Sequence, residues 1–335
     1  MSSRKGAVPQ GDEFRHDSPL RFRRVMIVGA SGYLGSALAM GLRDDFDILA
    51  TYHKSAPLWI EGVHSLRLDC MNGNDILQSV QRYAPDVVIY CAGISSPAMC
   101  HENPMIADAL NSRAMALFFK VLPRPIPFAY ISCDQVFSSA GTDANFRFNE
   151  EDDPDPQNEF GQSKMRGESL VLAHNRLTYV MRVARLYGER LGSPQRPRET
   201  WIQRHLEQIA KNDTVHALDD QRRTTVYVGD VVRALRRFLF RAPLSSTIFH
   251  LGAGDALSEF ETATQLCHVW GVDPGLIVTE KLADRVAKQG FNEARFSAIS
   301  SKRFEDLYAF KFQSYSEGIV ELRARLESGY TQAWV

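Results

Sequence analysis

The chain has 335 residues, of which 44% are hydrophobic and 24% charged, enough to bury the core of one large domain or two joined ones. Its formal net charge of -1 gives no field that would attract nucleic acid or an anionic membrane. The 5 cysteines follow no paired metal-ligand spacing, so we expect free thiols, no bound metal and a cytoplasmic location.

The first segment, residues 1–23, is polar and carries charges of both signs together with Gly and Pro. It lacks the apolar core of a signal peptide, so we expect a flexible tail. Since no later apolar run approaches the length of a membrane span, we expect no membrane partner.

The stretch 24–38 passes from a short apolar run into glycines and then into a segment with helical apolar spacing. This order predicts a strand, a tight turn and a helix. Gly29 permits the sharp turn, Gly32 lets the backbone approach a pyrophosphate, and Gly35 lets the helix pack on the strand. The free N–H groups of the helix favour an anion. The predicted dinucleotide contacts are Gly29, Ser31, Gly32, Tyr33, Leu34 and Gly35.

The second predicted strand, Asp47 to Tyr52, ends in Tyr52-His53-Lys54. An NAD site places a carboxylate at this point, whereas a cationic pair suits the 2′-phosphate of NADP. The sequence therefore favours NADP(H), with Tyr52, His53 and Lys54 in contact. The alternative is that His53 and Lys54 belong to a solvated loop.

Two further strand ends are candidates for cofactor contact. The strand Ser65 to Leu68 ends in Asp69-Cys70, where the carboxylate would accept from an adenine amino group or cap a helix. The nearly continuous apolar run 86–93 is typical of a strand buried on both faces of a parallel sheet. Its small terminal residues leave room for a cofactor: Cys91, Ala92 and Gly93.

Strands and helices keep alternating beyond this point, which predicts an α/β, doubly wound parallel sheet with right-handed crossovers. A helix from Pro104 to about Leu122, the strand Phe128 to Ser132, a helix containing 160–168 and the strand Thr178 to Val183 follow in order. Further helices are predicted at 201–211, 259–270, 301–309 and 316–326, and further strands at the start of 223–231 and at 247–252.

Taken together, several motifs resemble an extended short-chain dehydrogenase/reductase. They are the glycine turn 29–35, Cys91-Ala92-Gly93, Asn111, the segment 132–137, the segment 161–168 and Arg182. The pattern is most similar to the dTDP-4-dehydrorhamnose reductase group, which includes the regulatory β subunit of methionine adenosyltransferase. The likeness runs from about Val25 to about Leu322, with an arginine-led strand at Arg223 and a C-terminal signature at 294–302.

The resemblance implies a Rossmann-like NADP(H)-binding domain over 24–187, with return segments near 215–252. It also implies a smaller, substrate-binding lobe built from 188–214 and 253–335, which would close over a nucleotide sugar. Family members often pair through a helical bundle, so a homodimer is compatible with the resemblance.

In this family a tyrosine four residues before a lysine protonates the ketone oxygen, and a Ser or Thr orients the carbonyl. The lysine lowers the pKa of the tyrosine and holds the nicotinamide ribose of the cofactor. The lysine here is Lys164, but the tyrosine position holds Phe160 and the threonine position holds Cys133. Phenylalanine has no proton to donate, and a thiol is a weak donor. A general acid contributes about 10² to 10⁴ in rate, or roughly 3 to 5.5 kcal/mol of barrier.

Three explanations of this departure stay open at the level of the sequence. The chain is a natural pseudoenzyme, it uses another acid such as Cys133, Lys164 or a substrate group, or Phe160 is an engineered change that traps a complex. Cys133 argues against the last, because a trapping change would usually alter one residue.

On the substrate side, the resemblance assigns Arg223 to the diphosphate, and an arginine fork suits phosphate oxygens. It also assigns Asp134, Gln135, Trp201 and Arg295 to the substrate, although the residues around Arg295 favour a solvated loop for this arginine. Two functions follow as hypotheses: an NADP-dependent reductase of a nucleotide-linked keto sugar, and an NADP-sensing regulatory or scaffold subunit without turnover.

Overall fold

Seven parallel strands form the central sheet of this computed structural model, which describes residues 22–55, 59–123, 125–138, 145–174, 177–190 and 200–328. The strands in these ranges are β1 (Arg24–Val28), β2 (Asp47–Tyr52), β3 (Val63–Arg67), β4 (Val87–Tyr90), β5 (Phe128–Cys133), β6 (Thr178–Val183), β7 (Arg185–Tyr187), β8 (Val215–Leu218), β9 (Arg223–Tyr227), β10 (Thr247–Leu251), β11 (Ala256–Leu257) and β12 (Ile277–Glu280). The helices are α1 (Tyr33–Leu42), α2 (Gly73–Tyr83), α3 (Pro97–Glu102), α4 (Pro104–Asp108), α5 (Ala114–Val121), α6 (Glu159–Leu172), α7 (Trp201–Ala210), α8 (Val228–Arg241), α9 (Glu259–Trp270), α10 (Leu282–Gln289), α11 (Lys302–Tyr308) and α12 (Tyr315–Glu327).

The order of the large sheet is β10-β6-β5-β4-β1-β2-β3, and every neighbouring pair is parallel. The chain moves outward from β1 through β2 to β3 and then returns to β4 on the other side of β1. The carboxyl ends of β1 and β4 therefore flank the point where the strand order reverses, which is where open α/β sheets bind ligands. This topology confirms the predicted doubly wound, Rossmann-like sheet.

Side chains of alternate strand residues pack on the two faces of this sheet, as the two-residue period of a strand requires. Val25 and Ile27 of β1 belong to the core on one face, whereas Met26 and Val28 belong to the core on the other. Phe22 is also buried, although it lies in the predicted tail. The ordered core thus begins before β1, and residues 1–21 of the predicted tail lie outside the described residues.

The helix predicted from Pro104 to about Leu122 is divided in the structure. Between α4 and α5 the segment Ala109–Arg113 is a π-helical turn. The Tyr130 hydroxyl donates to the Asn111 carbonyl oxygen at 2.5 Å, which competes with regular helical bonding. A Cβ at Gly167 of α6 would lie 2.3 Å from that same oxygen, so the glycine allows α6 to pack closely here.

Two smaller sheets lie beside the large one. They have the orders β11-β9-β7 and β12-β8. The sequence predicts that a segment near 215–252 returns to the nucleotide-binding domain. In the structure β10 of this segment pairs with β6 of the large sheet, whereas β8 pairs with β12. Capping boxes begin α7, α9 and α12 and fix where these helices start. The division into a nucleotide domain and a substrate lobe stays a prediction.

No helix in the described part of the chain is long and apolar enough to span a membrane. Likewise, no group of three or more His, Cys, Asp or Glu side chains among the described residues is placed to hold a metal ion. The 5 cysteines are free thiols, as the sequence predicts.

Candidate functional site

The glycine turn between β1 and α1 lies against the end of β4. Gly29 has φ of +86°, a conformation that side chains rarely adopt, and a Cβ there would lie 2.7 Å from the Ala92 Cα atom. A Cβ at Gly35 would lie 2.5 Å from the Gly29 carbonyl oxygen. The turn is closed by a hydrogen bond from the Gly32 N–H to that oxygen at 3.0 Å. Side chains at Gly29 and Gly35 would therefore force the turn apart.

Thr51 of β2 stabilises this turn through hydrogen bonds of its side chain, and the sequence analysis missed it. Its hydroxyl accepts from the Gly29 N–H at 3.3 Å and donates to the Ile27 carbonyl oxygen at 3.2 Å. Its side chain is buried in an otherwise apolar stretch of strand. A buried hydroxyl within a strand that neighbours a glycine turn is the signal that would have identified it.

The predicted ribose-side residues meet at the carboxyl ends of β2 and β3. The His53 Nε2 atom lies 3.7 Å from the Asp69 Oδ2 atom, and both side chains are about one-third exposed. Lys54 beside them is exposed. Asp69 accepts from the Met71 N–H at 2.9 Å, whereas Asn72 caps α2, so the helix-cap alternative for Asp69 is wrong.

Cys70, the next residue, has its thiol inside the protein. It accepts from the Tyr90 hydroxyl at 3.5 Å, and burial raises the pKa of the thiol. We therefore expect Cys70 to shape this edge of the site by packing.

Lys164 of α6 points towards the end of β4. Its Nζ atom donates to the Ile131 carbonyl oxygen at 2.8 Å and lies 4.9 Å from the centre of the Tyr130 ring. A Cβ at Gly93 would lie 3.8 Å from Nζ. The side chain is only 7% exposed, and burial lowers the pKa of the ammonium group. The structure thus brings Lys164 to the predicted cofactor strand end.

Phe160 lies one helical turn before Lys164, in the first turn of α6, and is 6% exposed. The Asn158 side chain caps this turn by accepting from the Gly161 N–H at 3.0 Å. At the end of β5, Cys133 is also buried, and burial raises the pKa of its thiol to about 12. Cys133 therefore stays protonated at neutral pH but is a very weak acid.

Asn111 connects the end of β4 to α6 and is fully buried. Its amide oxygen accepts from the Ile94 N–H at 3.0 Å, and its amide nitrogen donates to the Ile94 carbonyl and to the Ser163 hydroxyl, each at 2.9 Å. A Cβ at Gly93, which has φ of +146°, would lie 2.1 Å from the Asn111 Oδ1 atom. Asn111 thus holds Gly93 close to Lys164.

A family model, the RmlD substrate binding domain, matches residues 23–328. The chain belongs to this family. It is an extended short-chain dehydrogenase/reductase, as the motifs predict.

Among curated relatives of this RmlD-family chain, the probable low-salt glycan biosynthesis reductase Agl14 of Haloferax volcanii is 31% identical over 266 residues, covering 77% of this chain and 84% of that protein. Methionine adenosyltransferase 2 subunit beta of Danio rerio is 25% identical over 290 residues, covering 85% and 84%. The structure of a Bacillus anthracis dTDP-4-dehydrorhamnose reductase in complex with NADP has a TM-score of 0.74 at 21% identity, covering 90% of this chain and 99% of that one.

The predicted substrate residues of this RmlD-family member have different surroundings. Asp134 and Arg223 form an ion pair, and Gln135 accepts from the Asn158 side chain at 2.9 Å. Trp201 is buried, donates to the Leu186 carbonyl at 2.9 Å and lies under the Arg185 guanidinium. Arg295 is exposed and donates to the Asp220 carbonyl. Their roles towards substrate stay predictions.

A network of buried polar side chains lies behind Cys133, and the sequence predicts only part of it. The Ser132 hydroxyl donates to Glu168 at 2.5 Å, and the Arg182 guanidinium donates to both carboxylate oxygens of Glu168. The opposite side of Arg182 meets the His250 Nε2 atom at 3.3 Å. Burial, followed by the charge of Arg182, lowers the pKa of His250 to about 3, so the imidazole is neutral and accepts this bond. This network of hydrogen bonds fixes the strand ends that support Cys133.

Proposed function

We propose that the chain binds NADP(H) at the glycine turn 29–35 and the ends of β2 and β4, and reduces a keto sugar carried by a nucleotide. The observation that supports this best is Lys164, whose Nζ atom is held by the Ile131 carbonyl beside Gly93. The residues fit a dinucleotide, because Gly32 in the turn and Gly93 at the end of β4 leave backbone exposed at neighbouring strand ends.

NADPH, when bound, supplies the hydride in this reaction. The chain's own residues must supply a proton to the ketone oxygen, and position 160 has no donor. Of the two candidates near that position, the Cys133 thiol has its pKa raised to about 12, whereas burial lowers the pKa of Lys164. The Lys164 ammonium is therefore the stronger acid, and we propose Nζ as the slow proton donor of the natural chain.

A panel of nucleotide-linked keto sugars tests this function. NADPH oxidation is followed by absorbance, and calorimetry measures the binding of each ligand. Turnover that is lost in Lys164→Met, with substrate binding retained, is the expected result. Binding of neither NADPH nor any sugar nucleotide would contradict the proposal.

A second candidate function is ligand binding without turnover, as in a regulatory or scaffold subunit. Phe160 favours it, because position 160 has no proton donor while the glycine turn 29–35 is present. The similarity to methionine adenosyltransferase 2 subunit beta also supports it. Calorimetric binding of NADPH without oxidation by any substrate of the panel would favour this second function. A cytoplasmic location and a homodimer remain proposals under either function.

Gly35→Ala is expected to weaken NADPH binding about tenfold or more, because the new Cβ would lie 2.5 Å from the Gly29 carbonyl oxygen. Titration of NADPH fluorescence measures the loss. Gly254→Ala is the matched control, since a Cβ there meets no atom within 4 Å. Equal affinities of the two variants would argue against pyrophosphate binding at this turn.

His53→Asp with Lys54→Ala is expected to lower NADPH affinity about tenfold and to raise NADH affinity, since a carboxylate replaces the imidazole and the Lys54 ammonium is lost at the end of β2. Competitive titration of both cofactors checks this exchange. His64→Asp serves as control, because His64 also lies 3.7 Å from a carboxylate, that of Asp47, but near the opposite end of the strands. An unchanged NADPH preference in the double variant would show that the 2′-phosphate is recognised elsewhere.

A further inference from the structure

The guanidinium of Arg223 already binds a carboxylate of its own chain. Its Nε and NH2 groups donate to the Asp134 carboxylate at 3.0, 2.8 and 2.9 Å. The Arg223 side chain is 12% exposed and that of Asp134 only 2%. The Ser297 hydroxyl donates to the same carboxylate at 3.4 Å. This is the two-pronged geometry with which arginine also binds phosphate oxygens.

A small polar cavity lies beside this ion pair. This cavity of about 10 Å³ lies against Arg185, Arg223, Thr225 and Glu259, room for about one water molecule. The Thr225 hydroxyl is buried and has no hydrogen-bond partner within the described ranges of the chain. A water molecule or a single ligand oxygen in this cavity would give this hydroxyl a partner.

Arg185, the second arginine that lines this cavity, is also paired with a carboxylate. Arg185 lies 2.7 Å from Glu259, which also pairs with Arg285 at 2.6 Å. Burial alone would raise the pKa of Glu259, but Arg185 and Arg285 outweigh it and hold the pKa at about 2. Glu259 therefore remains a carboxylate. An incoming phosphate that binds Arg223 would have to displace Asp134 from it.

We propose that Asp134 competes with the substrate's phosphate for Arg223, so that this carboxylate lowers diphosphate affinity and is a specificity-determining residue of the site. The inference rests on the proposed function, since it takes a nucleoside diphosphate group as the ligand of Arg223. A diphosphate carries more charge than one carboxylate and can displace it, whereas an uncharged sugar cannot. Burial raises the pKa of Asp134 even though Arg223 opposes this, so burial disfavours the charged carboxylate once the guanidinium turns to phosphate.

Calorimetric titration with uridine diphosphate and thymidine diphosphate, in the presence of NADPH, tests this competition. Asp134→Asn is expected to bind both about tenfold more tightly than the natural chain, and Arg223→Ala to bind them more weakly. Combining the two changes is expected to abolish the gain. Asp219→Asn is the matched control, because it removes the same charge from a carboxylate that pairs with Lys281 outside the cavity.

If Asp134→Asn binds the nucleoside diphosphates no more tightly than the natural chain does, the proposed competition is overturned. Weaker binding by this variant would mean that Asp134 positions Arg223 for the ligand. Asp134→Ser is a second variant in case the first fails to fold, with melting temperature and NADPH affinity as folding checks. If the natural chain and both variants bind NADPH but no nucleoside diphosphate, the proposed substrate class fails together with this inference. Binding by the natural chain without a gain in either variant overturns the inference alone.

Discussion

Phe160→Tyr combined with Cys133→Thr is expected to reduce a nucleotide-linked keto sugar about 10² to 10⁴ times faster than the natural chain. Phe160 is held in the first turn of α6, one turn before Lys164, by the Asn158 cap. A tyrosine there would place a phenol near an ammonium group that lowers its pKa, and a threonine at 133 would replace a weak thiol donor by a hydroxyl. The gain requires the phenol to lie within hydrogen-bond reach of the ketone oxygen.

The rate of NADPH oxidation is compared among the natural chain, each single variant and the double variant under saturating cofactor. Phe146→Tyr is the control, because it adds the same hydroxyl at a partly exposed position outside the strand ends. A natural chain that already turns over fast, unaffected by Phe160→Tyr but abolished by Cys133→Ala, would refute the argument from the missing donor. A double variant that binds both ligands and stays inert would favour the regulatory function.

Glu168→Ala is expected to lower the free energy of unfolding by about 3–5 kcal/mol, since it leaves Arg182 as a buried charge without its carboxylate. Both side chains are 3% exposed, and the guanidinium donates to both carboxylate oxygens, with the shortest bond at 2.7 Å. The same change removes the acceptor of the Ser132 hydroxyl, directly before Cys133. We therefore expect the strand end at Cys133 to loosen as well.

Denaturant unfolding followed by circular dichroism measures this loss. Lys302→Ala is the matched control: it also breaks an ion pair, with Asp306, but those side chains are 78% and 65% exposed, so we expect almost no change in stability. Similar unfolding midpoints of the two variants would mean that water or another group replaces Glu168 beside Arg182.

Local order along the chain was sufficient to predict the strands and the glycine turn of the candidate cofactor site. The glycine turn, the strand β2 over Asp47–Tyr52 and the strand β6 over Thr178–Val183 depend on residues that are adjacent in sequence. A short apolar run before glycines specifies a strand and a tight turn wherever the rest of the chain packs, because backbone freedom and side-chain period are local properties. The family resemblance likewise predicts that a proton donor is missing at Phe160, four residues before Lys164.

Contacts between distant residues required the tertiary structure. Asp134 and Arg223 are 89 residues apart, and only the packing of the smaller sheets against the end of β5 makes them an ion pair. The π-helical turn at Ala109–Arg113 lies where Tyr130 of another element donates to the Asn111 carbonyl oxygen, and helical spacing alone predicts one continuous helix there.

The sequence by itself therefore determined the sheet and the candidate cofactor turn, since these follow from local periodicity and backbone freedom, and the resemblance of its motifs indicated the family. Only the tertiary structure decided which charges are already paired, because the partner of a buried charge is chosen by the fold that removes both groups from water.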